Sequence, residues 1–163
     1  MSFSASAQAS NDFLTGRKPV PNAAGIELIS QRFSISLATA DLANGVIGAI
    51  GILPGGHVPV AFELDASQLD SNATPTLAYS VGILNAAGTA LSTASADGGA
   101  AWATGQTTGR TAGGSASGIV PSRALKTAVQ SALADRQIGI LLTAAAATAV
   151  AGDLNLTLYY RAA

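Results

Sequence analysis

Short segments in which apolar and polar residues alternate recur along most of this chain. In residues 31–38, the apolar residues Phe33, Ile35 and Leu37 alternate with residues that are charged or small and polar. A period of two places the apolar side chains on one face of a strand. The same period recurs at 58–65, 77–83, 138–142 and 154–161, so we predict a strand in each of these segments.

Residues 46–53 differ from these segments because almost the whole run is apolar, with Gly48 and Gly51 inside it. Such a run predicts a strand that is buried on both faces, and the glycines indicate a bulge or a close packing contact. Pro59 has no N–H to donate, which places it at a strand start or a sheet edge. Turn residues separate the strands at 41–45, 54–56 and 85–88.

Residues 92–118 consist almost entirely of Ser, Thr, Ala, Gly and Asp, with Trp102 among them. We predict an extended surface excursion that Trp102 anchors, because long loops without apolar periodicity lie on protein surfaces. Three interpretations of Trp102 remain open. It fills an edge of the core, it anchors an interface, or it stacks against a sugar.

Residues 121–134 carry two overlapping patterns. Leu125, Val129 and Leu133 have helical spacing, whereas Leu125, Thr127 and Val129 alternate as in a strand. Pro121-Ser122 is a suitable helix start. We therefore favour a short helix here and keep a strand as the alternative.

The first 29 residues show no sustained period, and Pro19 and Pro21 bracket Val20. This composition is typical of an extended arm. We predict two parts: an N-terminal arm over 1–29 and one domain over 30–163. With six or seven strands and turns between most of them, the domain is predicted to be all-β, a β-sandwich.

Composition argues against catalysis. The chain has no Cys and one His, and 10% of its residues are charged, whereas enzymes need clustered groups that titrate, coordinate or attack. We therefore predict no enzyme activity, no metal and no cofactor. His57 follows Pro-Gly-Gly and is interpreted as a turn or interface histidine. Asp65 and Asp70 flank a polar loop in which a weak calcium site is conceivable, but a solvated loop is favoured because the spacing does not match an EF-hand.

Charge and hydropathy restrict the partners. The net charge is -1, and the eight Lys and Arg residues are scattered, so we predict no nucleic-acid partner. Residues 42–62 contain no Asp, Glu, Lys or Arg, but the Pro-Gly-Gly turn inside them would break a spanning helix. We predict neither a membrane span nor a secretory signal. So few charges favour a surface that protein partners cover.

Several short sequence motifs, taken in their order along the chain, resemble those of a known family. They are ILPGGHVPV (52–60), FELD (62–65), LD (69–70), TP (74–75), VGILNAAGT (81–89), ADGGAAW (96–102), ADRQIG (134–139) and LTLYYRAA (156–163). This ordered set, which covers most of residues 30–163, resembles the capsid decoration proteins of tailed phages, also called cement or head-stabilising proteins.

The resemblance implies a jelly-roll-like sandwich on the outer surface of an icosahedral head, made in the host bacterial cytoplasm. It implies two partners, the major capsid protein and further copies of the chain as a dimer or trimer that bridges capsomers. Within this hypothesis, we predict contacts to the capsid or to a neighbouring copy for six residues. They are Phe3, Phe13, Leu14, Arg17, Lys18 and Trp102.

Two rival functions were weighed against this one. A carbohydrate-binding or fibre-like surface module of the virion requires clustered aromatic side chains, for which Tyr79, Trp102, Tyr159 and Tyr160 are available. An enzyme built on a β-sandwich requires polar groups that the composition does not supply.

Overall fold

The computed structural model describes residues 28–94, 101–120 and 134–162. Within these residues the chain forms eight strands and one 3₁₀ helix, Thr39–Leu42. The strands are β1 (Ile29–Leu37), β2 (Ile47–Leu53), β3 (His57–Ala66), β4 (Ala78–Ile83), β5 (Ala103–Gln106), β6 (Gly114–Ile119), β7 (Arg136–Ala144) and β8 (Gly152–Ala162).

The strands form two four-stranded sheets with the orders β1-β8-β3-β6 and β2-β7-β4-β5. All the strand pairs are antiparallel. The first strand pairs with the last, the second with the seventh, the third with the sixth and the fourth with the fifth. This is the strand order of a jelly roll, and it confirms the predicted all-β, single-domain sandwich.

The core lies between the two sheets. The inward side chains of β8, which are Leu154, Leu156, Leu158 and Tyr160, are each at most 6% exposed. Tyr79, Val81, Ile138 and Ile140 of β4 and β7 belong to the same buried cluster. Burial of each large aliphatic side chain stabilises the fold by about 1.5–3 kcal/mol. Most of the core consists of the apolar residues that alternate with polar ones along the strands.

The prediction of an extended surface excursion over 92–118 is corrected, because β5 and all but the last residue of β6 lie within this segment. The sequence of β6, GSASGI, has too few apolar residues to show the alternation that is typical of a strand. It nevertheless pairs with β3 without a register shift. A Cβ at Gly118 would lie 2.6 Å from the Phe62 ring, so the small residues of β6 leave room for a large core side chain of β3.

A second correction concerns β2, which is buried on one face rather than two. Ile50 and Leu53 are buried, whereas Ile52 is 47% exposed. The outer face of β2 is exposed because β2 is at the edge of its sheet and has one hydrogen-bonded neighbour. The predicted bulge is confirmed, since the register shifts between Ala49 and Gly51.

Two predicted segments lie largely outside the described residues. The first is the predicted arm, of which residues 1–27 lie outside the described part of the chain; β1 begins at Ile29. The second is the segment 121–134, predicted as a short helix with a strand as the alternative, of which residues 121–133 lie outside the described part of the chain. No helix of the described part of the chain is long and apolar enough to cross a membrane.

Candidate interaction surface

The described residues contain no cluster of three or more His, Cys, Asp or Glu side chains that could hold a metal ion. His57 is the first residue of β3, and its Nδ1 lies 2.9 Å from the carbonyl oxygen of Gly55. Its ring packs edge-on against Tyr160, with 5.3 Å between the ring centroids. These contacts hold the His57 ring within the turn that precedes β3.

Asp65 belongs to a polar network on the outer face of its sheet. Arg32 of β1 donates two hydrogen bonds to the Asp65 carboxylate, at 2.7 and 2.8 Å. The Asn155 amide of the intervening β8 donates a third at 2.7 Å. The hydrogen bonds from Arg32 lower the pKa of Asp65 more than its partial burial raises it. Asp65 therefore links three strands as a carboxylate.

The polar loop around Asp70 is exposed to solvent at most of its positions, such as Ser71 and Thr74, as predicted. Asp70 itself is fully buried. Its carboxylate accepts five backbone N–H hydrogen bonds of 2.8 to 3.2 Å, from Asn72, Thr76, Leu77, Ala147 and Thr148. Burial raises the pKa of Asp70, but the backbone donors outweigh burial and hold it well below its usual value. The loop before β4 and the loop after β7 are joined through this carboxylate.

Trp102 is 7% exposed and belongs to the hydrophobic core. Its backbone N–H donates to the Val81 carbonyl at 2.7 Å. This is the position expected from the core-edge interpretation, and the ring offers little surface to a partner. Contact of Trp102 with another protein stays a prediction. The other predicted contact residues, Phe3, Phe13, Leu14, Arg17 and Lys18, lie outside the described residues.

The other aromatic side chains considered for sugar binding are mostly enclosed. Tyr79 of β4 is 1% exposed and Tyr160 of β8 is 6% exposed. Tyr159 of β8 is half-buried on the outer face of its sheet. Burial raises the pKa of Tyr79 to about 12. The described aromatic residues therefore form no exposed stacking platform.

Five large apolar side chains are exposed among the described residues. They are Leu28, Ile29, Ile52, Ile119 and Val150. Ile119, at 81%, is the most exposed of them. It lies at the end of β6, an edge strand whose described hydrogen-bonded neighbour is β3. Exposed apolar side chains beside an open strand edge are typical of a surface that contacts another protein.

A small apolar slot opens between the edge strands β1 and β2. Its lining includes Ile35 and Leu37 of β1, Gly48 of β2, and Ile140 and Leu142 of β7. The cavity volume is about 90 Å³, about the size of one aliphatic side chain. Asp41 also lines the slot and is half-buried there.

Comparison with known proteins matches neither a protein-family model nor a curated protein. Among solved structures, chains of two phage capsid structures are similar to it. A chain in the structure "Capsid of Ralstonia phage GP4" is 30% identical over 93% of this chain and 96% of its own length, with a TM-score of 0.67. A chain in "Cyanophage Pam1 capsid asymmetric unit" is 18% identical over 99% and 98%, with a TM-score of 0.55, and shows the fold alone.

Proposed function

Because this chain belongs to a family of phage capsid-related proteins, we propose that it is a decoration protein of the virion. In this proposal it binds the outer surface of an icosahedral head and stabilises the shell by bridging neighbouring capsomers. Its partners are the major capsid protein and further copies of itself. It is made in the cytoplasm of the host bacterium and acts without a cofactor.

One observation carries the proposal: the similarity to a chain of the Ralstonia phage GP4 capsid extends over nearly the full length of both chains. A match over 93% of this chain extends across both of its sheets. The resemblance of strings such as ILPGGHVPV (52–60) to decoration proteins supports the finer assignment to the outer surface.

The mechanism that we propose is mechanical. A sandwich with a continuous core and a buried Asp70 that joins two loops is a stiff body. A stiff body that contacts two capsomers at once resists their separation. Many copies on one head multiply modest contacts through avidity, so individual contacts need not be strong.

Contact with the head requires exposed apolar surface, and the described residues supply it at Ile119 and Ile52, on different sheets. The N-terminal arm adds Phe3, Phe13 and Leu14 as apolar anchors, with Arg17 and Lys18 setting its register. An arm that becomes ordered on binding loses conformational entropy, so these apolar side chains have to contribute most of its affinity.

A density-gradient experiment tests the proposal. The purified protein is mixed with its cognate procapsids and, separately, with mature heads, and the gradient fractions are assayed for it. Co-migration with mature heads is the expected result. Migration with neither particle, as free protein at the top of the gradient, would reject the decoration function. A variant lacking residues 1–18 measures the contribution of the arm, and unchanged affinity would exclude an anchoring role for it.

A further inference from the structure

We infer that the slot between β1 and β2 binds one side chain, Phe13 or Leu14, from the N-terminal arm of a second copy of this chain. This inference deepens the proposed function and rests on it, because the head surface is what brings copies side by side. It assigns the arm a partner, so that neighbouring decoration proteins are linked directly to one another.

The slot exists because glycine occupies an inward-facing position of β2. Gly48 pairs with Ile140, and residues directly opposite each other in an antiparallel pair lie on the same face of the sheet. Ile140 is buried in the core. A Cβ built on Gly48 would meet no atom within 4 Å. Gly48 is nevertheless exposed to solvent, so this inward-facing position at the sheet edge is an open slot.

The lining of the slot defines the chemistry of its occupant. Ile35, Leu37 and Leu142 present hydrocarbon, and the volume of about 90 Å³ admits one apolar side chain. Such a side chain gains about 25 cal/mol for each Å² of apolar surface that it buries there. Asp41 adds a negative charge at the same place.

The arm carries a matching sequence. Phe13 and Leu14 are adjacent and apolar, and Arg17 and Lys18 follow them. In an extended chain, three residues span roughly 10 Å. A cation can thus reach Asp41 while Phe13 or Leu14 fills the slot, and the two opposite charges favour one direction of binding.

A second copy is a better donor of this segment than the same chain. The chain enters β1 at Ile29, whereas the slot is beside Ile35 and Leu37, about 20–26 Å further along the strand at 3.3 Å per residue. The segment that precedes Ile29 must therefore reverse its direction to reach its own slot. Pro19 and Pro21 favour extended backbone in the residues before them, which opposes such a reversal.

Cross-linking between two variants tests the inference. Because the chain contains no Cys, each variant carries a single thiol at the chosen position. One copy carries Thr15→Cys, next to the proposed anchor. The other carries Ala43→Cys, an exposed residue between Asp41 and Val46, which both line the slot. The two variants are mixed on mature heads and, in parallel, as concentrated free protein. A short thiol-specific cross-linker is then added, and dimers are measured on a denaturing gel.

Blocking the slot provides the matched control. Gly48→Leu fills the open space, whereas Ala49→Leu adds the same side chain to the adjacent exposed position. We expect roughly tenfold more cross-linked dimer with the open slot than with Gly48→Leu, because docking raises the local concentration of the two thiols. Ala49→Leu should leave the yield unchanged. Circular dichroism confirms that each variant is folded.

Three results would overturn the inference: no dimer above background in either condition, a yield that Gly48→Leu leaves unchanged, or an equal loss with Ala49→Leu. Wild-type co-migration with heads is measured in the same experiment. Co-migration without cross-linking rejects the slot inference alone, whereas failure to co-migrate rejects the decoration function.

Discussion

The Asp70 carboxylate accepts a hydrogen bond of 3.0 Å from the backbone N–H of Thr148, which is 78 residues further along the chain. The same carboxylate accepts from Thr76, ahead of β4. Asp70 therefore closes one end of the sandwich by joining the loop before β4 to the loop after β7, beyond the last residues of the pairing between these two strands. Its isolated bridge with Ala149 strengthens the same junction.

Replacement of this carboxylate should destabilise the fold. Asp70→Asn puts an amide N–H₂ among backbone donors, so buried N–H groups lose their acceptor. We expect the free energy of unfolding to fall by about 2–4 kcal/mol, measured by chemical denaturation. Asp153→Asn is the control, because Asp153 is exposed and an amide oxygen can still accept from Ser36. Equal effects of the two substitutions would contradict the role of Asp70.

The same carboxylate predicts acid sensitivity. Its pKa in the folded protein is lowered from 3.8, so the unfolded chain binds the proton more tightly than the folded protein. The stabilisation is complete above the unfolded-state pKa and is lost as the pH falls through the folded-state pKa. Unfolding free energy should therefore decrease between about pH 5 and pH 2, and Asp70→Asn should flatten that decrease. An unchanged slope in the variant would argue against this origin.

Gly51 should tolerate no side chain while Phe33 remains. A Cβ at Gly51 would lie 2.6 Å from the Phe33 ring. We expect Gly51→Ala to lower the unfolding free energy by about 1–3 kcal/mol, and Phe33→Leu in the same chain to reduce that loss. Gly48→Ala in the same strand is the control and should have little effect, because its Cβ meets open space. Thermal unfolding of four variants, which are Gly51→Ala, Phe33→Leu, the two combined, and Gly48→Ala, measures the coupling.

Ile119 should contribute to head binding without contributing to folding. Its side chain is 81% exposed, so Ile119→Ser removes apolar surface that only a partner can bury. We expect roughly tenfold weaker binding to mature heads, equal to about 1.4 kcal/mol, with an unchanged Tm. Ile52→Ser makes the same comparison on the other sheet. Full binding by Ile119→Ser would exclude this end of β6 from the contact surface.

The sequence predicted the strands that have apolar inward faces, because alternation in 31–38 or 154–161 follows directly from burial of one sheet face. It did not predict β6, whose Gly118 and Ala116 leave space for Phe62 and Leu64 instead of filling it. Small residues of this kind are also common in loops, so strand formation there depends on the partner strand.

The surroundings of Asp70 could not be predicted for a related reason. Two of its backbone donors, Ala147 and Thr148, come from the loop between β7 and β8. The position of this loop is set by the pairing of β7 with β4 in one sheet and of β8 with β3 in the other. Likewise, the prediction that glycines in residues 46–53 mark a bulge or a close packing contact holds for Gly51 but is wrong for Gly48, where a Cβ would meet no atom within 4 Å. The pairing of Gly48 with Ile140 is needed to show that it faces the core side of the sheet and leaves a slot.

A cryo-electron microscopy comparison of heads with and without this protein tests the decoration function most directly. The account predicts additional density on the outer surface of the decorated heads, into which the jelly-roll sandwich fits and which touches two neighbouring capsomers. Density on the inner surface, or within the continuous shell in place of a capsid subunit, would contradict the account.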